Sequence, residues 1–224
     1  MDAVIKIGGS ILQNTSAEKL WKTLDELIKQ FSFVIVPGGG DFANLVRNYY
    51  KLYQVSEDRA HWMAILCENI LGFLILEHLE SGIPVFDVSE ISAAIEISKI
   101  PVFLPFQYLF EHDPLPHSWE VTSDSIAAYF AEKLQAQKLI LVKDVDGIYT
   151  HDPKKFPETE IKLLRTIKLS SDVLSTLPSC CIDTYLPSLL RQYQRACFIV
   201  NGFYPERLEK ILRNEKAKYT IIEI

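Results

Sequence analysis

The 224-residue chain has only four cysteines and two methionines, and none of the cysteines stands in a C-x-x-C pair. Cys67, Cys180, Cys181 and Cys197 thus lack the spacing of zinc or dithiol redox sites, and a disulfide between neighbouring Cys180 and Cys181 would be strained. Buried, reduced thiols are expected. No block of lysines or arginines occurs, and 23 basic residues against 29 acidic ones leave a formal net charge of −6, so nucleic acid is not expected as a partner. No uninterrupted apolar run reaches the roughly eighteen residues of a membrane span, and the first ten residues, with one lysine and two glycines, do not resemble a leader. No membrane partner is expected, and the cytoplasm is the expected location. Linkers, repeats and low-complexity tracts are missing too. With 48% hydrophobic residues the chain can bury a full core, as one large domain or two tightly joined lobes. Glycine is sparse at nine residues, and five of these lie in two turns.

The first turn, Gly8-Gly9-Ser10, follows the β-branched run Ala3 to Ile7, and helical periodicity runs from Glu18 to Ile28. Glycines let the backbone approach a ligand with its N–H groups exposed, and Lys6 adds a positive charge just before them, so phosphate is the natural ligand. Standing alone, the stretch reads equally as a tight turn beside a solvated lysine. The second turn, Gly38 to Gly40, follows a strand expected at Phe33 to Val36 and precedes a helix expected over Phe42 to Leu52. The repetition predicts two parallel strands whose turns leave at the same sheet edge, where such sheets bind ligands. Gly38, Gly40 and Ala43 also satisfy a G-x-G-x-x-A dinucleotide pattern, but Glu57 and Asp58 open a helix where that pattern requires an acidic strand residue.

Ser118 to Leu134 combines a polar turn with a helix start: Thr122, Ser123 and Asp124 are capping residue types, followed by apolar residues at helical spacing. A helix is expected to begin near Asp124, which reads either as a plain cap or as a carboxylate placed to orient cations. Elsewhere the pattern predicts a long helix over Ser56 to Leu79, strands at Val85 to Val88, Pro101 to Leu104 and Lys138 to Val142, a helix over Ser89 to Ser98, and a loop from Pro105 to Trp119. Past the Asp-Gly turn at Asp146, strands around Ile161 to Ile167, Cys197 to Val200 and Tyr219 to Ile224 alternate with helices at Ser170 to Leu177, from Asp183 or Thr184 to Arg195, and Pro205 to Leu212. Trp62 is expected to pack in the core. A metal site from His112, Asp113 and His117 is conceivable but matches no established ligand spacing. The alternation makes the class α/β.

K-I-G-G-S (Lys6 to Ser10), P-G-G-G (Pro37 to Gly40), T-S-D-S-I-A-A (Thr122 to Ala128) and D-V-D-G-I-Y-T-H-D-P-K (Asp144 to Lys154) resemble, in order and spacing, the amino acid kinase family. The resemblance covers nearly the whole chain. It implies a single domain built as a three-layer α/β/α sandwich with a mainly parallel central sheet, residues 1–117 or so forming an acceptor lobe and about 118–224 a nucleotide lobe. By the same resemblance Lys6 would contact the transferring phosphoryl group, Asp124 would orient the lysines, and Lys143 would be a second phosphate contact. Gly8, Gly9 and Ser10 would cradle the ATP phosphates, and Asp144, Asp146, Gly147 and Tyr149 would lie near the nucleotide. Gly38, Gly39, Gly40 and Thr122 would lie along the acceptor. Mg²⁺ would ride on ATP, since no dedicated carboxylate cage stands in the sequence. Family members are commonly oligomers, and a homo-oligomer is expected.

Gly38 to Arg47, Ala60 to Leu66, His117 to Ala128 and Val200 to Leu208 resemble one branch of that family, kinases of methanofuran biosynthesis. The branch implies an aminomethyl-bearing furan phosphate as acceptor. Asn44 stands where isopentenyl phosphate kinases have a histidine, and a phosphate monoester, with a second pKa of about 6, needs no general base. Arg47 is then a candidate for the acceptor phosphate, or an ordinary exposed arginine. Asp41, Glu68 and Glu120 are equal candidates for the amine. A uridylate or isopentenyl phosphate kinase, or a nucleotide-binding storage or regulatory protein, are the competing readings.

Overall fold

The computed structural model describes residues 1–13, 17–170, 173–177 and 181–224. Strands β1 (Ala3–Ile7) and β2 (Phe33–Pro37) are buried along their whole length, as expected of parallel strands covered on both faces. They pair in parallel from Ala3↔Phe33 to Ile7↔Pro37, so both glycine turns leave at one edge. Helices α1 (Gly9–Leu12) and α2 (Glu18–Leu27) connect them. Next come α3 (Gly40–Tyr53), α4 (Glu57–Leu76), β3 (Gly82–Val85), α5 (Val88–Glu96), β4 (Ile100–Phe103) and α6 (Phe106–His112). The remainder comprises α7 (Ser123–Lys133), β5 (Lys138–Lys143), β6 (Thr166–Lys168), α8 (Val173–Thr176), α9 (Leu186–Tyr193), β7 (Cys197–Asn201), α10 (Glu206–Leu212) and β8 (Thr220–Glu223).

The strands form one sheet in the order β3-β4-β2-β1-β5-β7-β8-β6, parallel except for the β7–β8 pair. Side chains alternate across it. Val4, Val34, Leu139 and Leu141 face a core closed by α5, α6, α7 and α9, whereas Ala3, Ile5, Ile140 and Val142 face one closed by α2 and α10. This is the three-layer α/β/α sandwich.

Some local expectations change. The strand expected at Val85 to Val88 lies at Gly82–Val85 instead, because Asp87 caps a helix, its side chain accepting from the Ser89 N–H at 2.8 Å. The stretch Pro105 to Trp119 contains α6, whose Tyr108 and Leu109 are buried. Part of the helix expected at Ser170 to Leu177 lies outside the described residues, as does Cys180; Cys67 and Cys197 are buried thiols outside any disulfide. Among the described residues α4 is the one helix long and apolar enough to cross a membrane. It packs one face on β2, β3, β4, α3 and α6, and Trp62 packs edge-on against Phe106 and Phe110.

Candidate active site

Strand parity builds the centre of the site. Lys6 and Lys143 lie near the carboxyl ends of adjacent β1 and β5, in the same parity as the residues facing α7, and α7 begins there. Asp124, in the first turn of α7, receives both: Lys6 Nζ lies 3.0 Å from Oδ1, and Lys143 Nζ donates to Oδ1 at 2.8 Å and Oδ2 at 2.7 Å. Burial opposes ionisation of Asp124, but Lys143 and Lys6 outweigh it and hold the carboxyl down at about 2. Burial likewise works against Lys143, yet Asp124 raises it above the lysine range; for Lys6 burial prevails over Asp124, and its pKa falls below that range. Two ammonium groups on one carboxylate leave an unbalanced positive charge in a dry setting, where an anion is bound strongly.

Asp183 fixes the start of α7. Thr122, the N-cap residue, makes no capping bond through its side chain. Asp183 Oδ2 instead accepts from the Thr122 N–H and hydroxyl, both at 2.9 Å, and from the Ser125 N–H at 3.0 Å, while Oδ1 accepts from the Ser125 hydroxyl at 2.7 Å and the Leu186 N–H at 2.8 Å. A residue 58 positions away thus serves the N3 amide that a cap side chain would serve. The Asp183 N–H also donates to Asp124 Oδ2 at 3.3 Å.

Two cavities meet over this cluster. One, of about 350 Å³, is lined by Lys6, Gly9, Ser10, Gly38 to Gly40, Arg47, Glu68, Trp119 and Thr122, among others. The second, about 340 Å³, is lined by Lys6, Gly8 to Ser10, Lys143, Asp144, Gly147, Tyr149, His151 and Lys154. Lys6, Gly9 and Ser10 belong to both. Glycine is required where the turns cross: a Cβ on Gly9 would stand 2.7 Å from the Gly40 nitrogen, and Gly40 itself has φ +52°. Gly8 spends its N–H on the Val142 carbonyl at 3.0 Å and Gly38 on that of Ile7 at 2.9 Å, so the free N–H groups of the first turn belong to Gly9 and Ser10, at the start of α1.

An amino acid kinase family profile matches residues 1–177. The chain is 36% identical over 223 residues, 98% of its length and 96% of the relative's, to [5-(aminomethyl)furan-3-yl]methyl phosphate kinase of Methanocaldococcus jannaschii. The chain belongs to the amino acid kinase family. It is also 25% identical to isopentenyl phosphate kinase of Thermoplasma acidophilum, over 93% of this chain and 95% of that one, and 25% identical to uridylate kinase of Archaeoglobus fulgidus, over 96% and 97%. The crystal structure of the Archaeoglobus fulgidus uridylate kinase superposes with a TM-score of 0.75 at 22% identity, covering 99% of this chain and 100% of that one.

In this amino acid kinase most residues singled out from sequence stand together. Arg47 is exposed but on the first cavity's rim, its guanidinium 4.9 Å from the Trp119 ring centre and its Nη1 donating to Asn44 Oδ1 at 3.0 Å. Thr122 lines that cavity with its hydroxyl committed to Asp183. Asp144 lines the second cavity and pairs with Lys154 at 2.6 Å. Asp146 is placed apart from them: its carboxylate meets Arg207 at 2.6 Å, Lys218 at 2.5 Å and Asn201 at 3.1 Å behind the turn, and these partners outweigh burial and hold it at about 2. Gly147 takes φ +152° with Thr220 packed against it, and Tyr149 reaches back to Asp146 at 3.3 Å. The three residues weighed as metal ligands do not converge: His117 bridges Asp58 at 2.7 Å and Asp113 at 2.8 Å, while His112 pairs with the Tyr108 carbonyl at 2.9 Å. No group of three metal-ligating side chains occurs among the described residues. Sequence reasoning missed Asp183 and Trp119 as parts of the site. Asp183 was legible only as a cap of the helix that follows it, and its bonds to α7, like the contact of Trp119 with Arg47, join residues distant in sequence.

Proposed function

We propose that this family member is an ATP-dependent kinase that extends a small phosphate monoester to a diphosphate, with [5-(aminomethyl)furan-3-yl]methyl phosphate as acceptor. The observation that carries this is the shared wall of two cavities: Lys6, Gly9 and Ser10 face both, so donor and acceptor anions can meet over one cationic cluster. Transfer between two anions is limited by repulsion and alignment. Lys6 and Lys143, held by Asp124, supply positive charge before either ligand arrives, and the Gly9 and Ser10 amides add donors without a reorganisation cost. The acceptor is largely dianionic at neutral pH, so no residue needs to remove a proton.

Residues 1–117 or so form the acceptor lobe in this reading and about 118–224 the nucleotide lobe. ATP takes the cavity lined by Lys143, Asp144, Gly147 and Tyr149; Asp146 supports that turn from behind through Arg207 and Lys218. Mg²⁺ arrives with ATP, held by its phosphates and water, and supplies charge neutralisation there. Arg47 and the second glycine turn hold the acceptor phosphate. The protein works in the cytoplasm as a homo-oligomer. The resemblance of the full chain to the Methanocaldococcus jannaschii enzyme supports the furan acceptor over UMP and isopentenyl phosphate.

The test is incubation with Mg-ATP and each of the three acceptors, followed by phosphorus NMR. A diphosphate doublet pair confined to the furan compound is expected, with kcat falling by roughly 10²–10³ in Lys6→Ala. Turnover of UMP or isopentenyl phosphate instead would replace the acceptor. ATP binding without transfer to any of them would favour the storage or regulatory reading.

A further inference from the structure

The first cavity has one wall made by a single face of α4: Glu57, His61, Ala64, Ile65 and Glu68 succeed each other at helical spacing. Eleven residues separate Glu57 from Glu68, so this wall descends about 16 Å. Glu68, at the deep end, is 4% exposed, and its Oε2 is fully buried with no hydrogen-bond partner. Buried carboxyl oxygens are normally satisfied.

The charged groups acting on Glu68 are Lys6, which attracts, and Asp124 and Asp183, which repel. Lys6 is already engaged by Asp124 at 3.0 Å, so Glu68 has no cation of its own. Burial, against the weaker pull of Lys6, pushes its carboxyl well above the usual range. The other acids differ. Asp41 is exposed and accepts from Gln13 at 2.5 Å and Asn44 at 3.4 Å. Glu57 is exposed at the mouth, and Glu120 is exposed and does not line the cavity.

We propose that Glu68 is the specificity-determining residue that seats a primary ammonium group of the acceptor, so that the site takes a phosphate monoester carrying a cation in preference to a neutral one. The inference rests on the kinase reading above and assigns the residue that reading leaves open. Lys6 and Glu68 line the same cavity, so a small molecule can place its phosphate at the lysine and its amine at the carboxylate. In the complex the ligand ammonium keeps its proton and forms an ion pair with the Glu68 carboxylate, and any proton the buried carboxyl held in the free protein goes to solvent. An acceptor with methyl in place of aminomethyl gains no such partner and leaves Oε2 unpaired.

The experiment compares kcat/KM for [5-(aminomethyl)furan-3-yl]methyl phosphate with that for its 5-methyl analogue, in wild type and Glu68→Gln. Wild type is expected to prefer the amine at least tenfold, and the variant to lose at least tenfold of that preference, chiefly through KM. Calorimetry of wild type, which needs no variant, is expected to find the amine bound at least tenfold more tightly than the analogue. An unchanged preference in Glu68→Gln, or equal affinity of wild type for the amine and the analogue, overturns the assignment while leaving the kinase reading intact. Should wild type turn over neither furan, the furan acceptor falls, and the comparison passes to ω-amino and ω-methyl alkyl phosphates. There an amine preference lost in Glu68→Gln supports the role of Glu68, and no preference overturns it.

Discussion

At the residue scale, one carboxylate organises two cations in a place where each alone would be costly to bury. Removing either partner of such a pair leaves an uncompensated charge, a penalty of roughly 3–5 kcal/mol. Lys6 and Asp124 were legible from residue type and position beside a glycine turn and a helix start, and Lys143 through the resemblance to the family. Their mutual distances were not. His61 is a second residue with a measurable signature: burial first, and the neighbouring His117 second, lower its pKa to about 4, with Asp113 and Asp58 acting the other way. The folded value lies below the unfolded one, so the unfolded chain binds the proton first. Stability is therefore lost as pH falls from about 6.5 to about 4. His117, raised by its bonds to Asp58 and Asp113 against the effect of burial, acts in the opposite sense and is common to wild type and variant. His61→Gln is expected to gain on wild type by about 1 kcal/mol between pH 7 and pH 4.5, after allowance for the part of the ring that faces water. Urea unfolding at the two pH values checks this, and equal losses in the two proteins would contradict it.

At the element scale, α7 carries the site because its first turn is clamped from outside. Thr122, Ser123 and Asp124 announce a helix start by residue type, and the helix does begin at Ser123. The cap itself comes from Asp183, which lies just before α9 and binds the Thr122, Ser125 and Leu186 amides. Nothing in the sequence near Asp183 indicates its hold on α7, because the bonds to Thr122 and Ser125 span some sixty residues and exist only once α9 packs on α7. Asp183→Ala is expected to cost about 3 kcal/mol in urea unfolding by stranding several polar donors. Asp183→Asn, which keeps one acceptor oxygen, is expected to cost less. A loss under 1 kcal/mol for the alanine variant would mean that α7 holds its start without the clamp. The strand missed at Gly82–Val85 has a similar cause: Val85 to Val88 has strand propensity, but Asp87 caps α5 and ends the option.

For the whole molecule, the topology places β1 beside both β2 and β5, so two glycine turns and two lysines converge at one sheet edge. It also leaves apolar surface uncovered. Leu66, Ile70, Phe73 and Leu74 recur on one face of α4, and Leu45, Tyr49 and Leu52 on one face of α3, all exposed. Two packed helices with such faces fit a self-complementary interface between copies of the chain. Sedimentation is expected to find an oligomer that Phe73→Glu shifts toward monomer, and a monomeric wild type would remove this reading.

The sequence by itself determined the α/β class, the order of the two glycine turns and the placing of Lys6 before a turn and Asp124 at a helix start, while the resemblance to the family added Lys143. These depend on local periodicity, on glycine's backbone freedom and on charge, all carried by neighbouring residues. Only the tertiary structure decided that Asp183 caps α7, that Asp146 turns to Arg207 and Lys218, that Arg47 stands on Trp119 and that Glu68 is left with a bare oxygen at a cavity floor. Each joins or isolates groups far apart in the chain, and burial and partnership at such distances are set by packing, which no short stretch encodes.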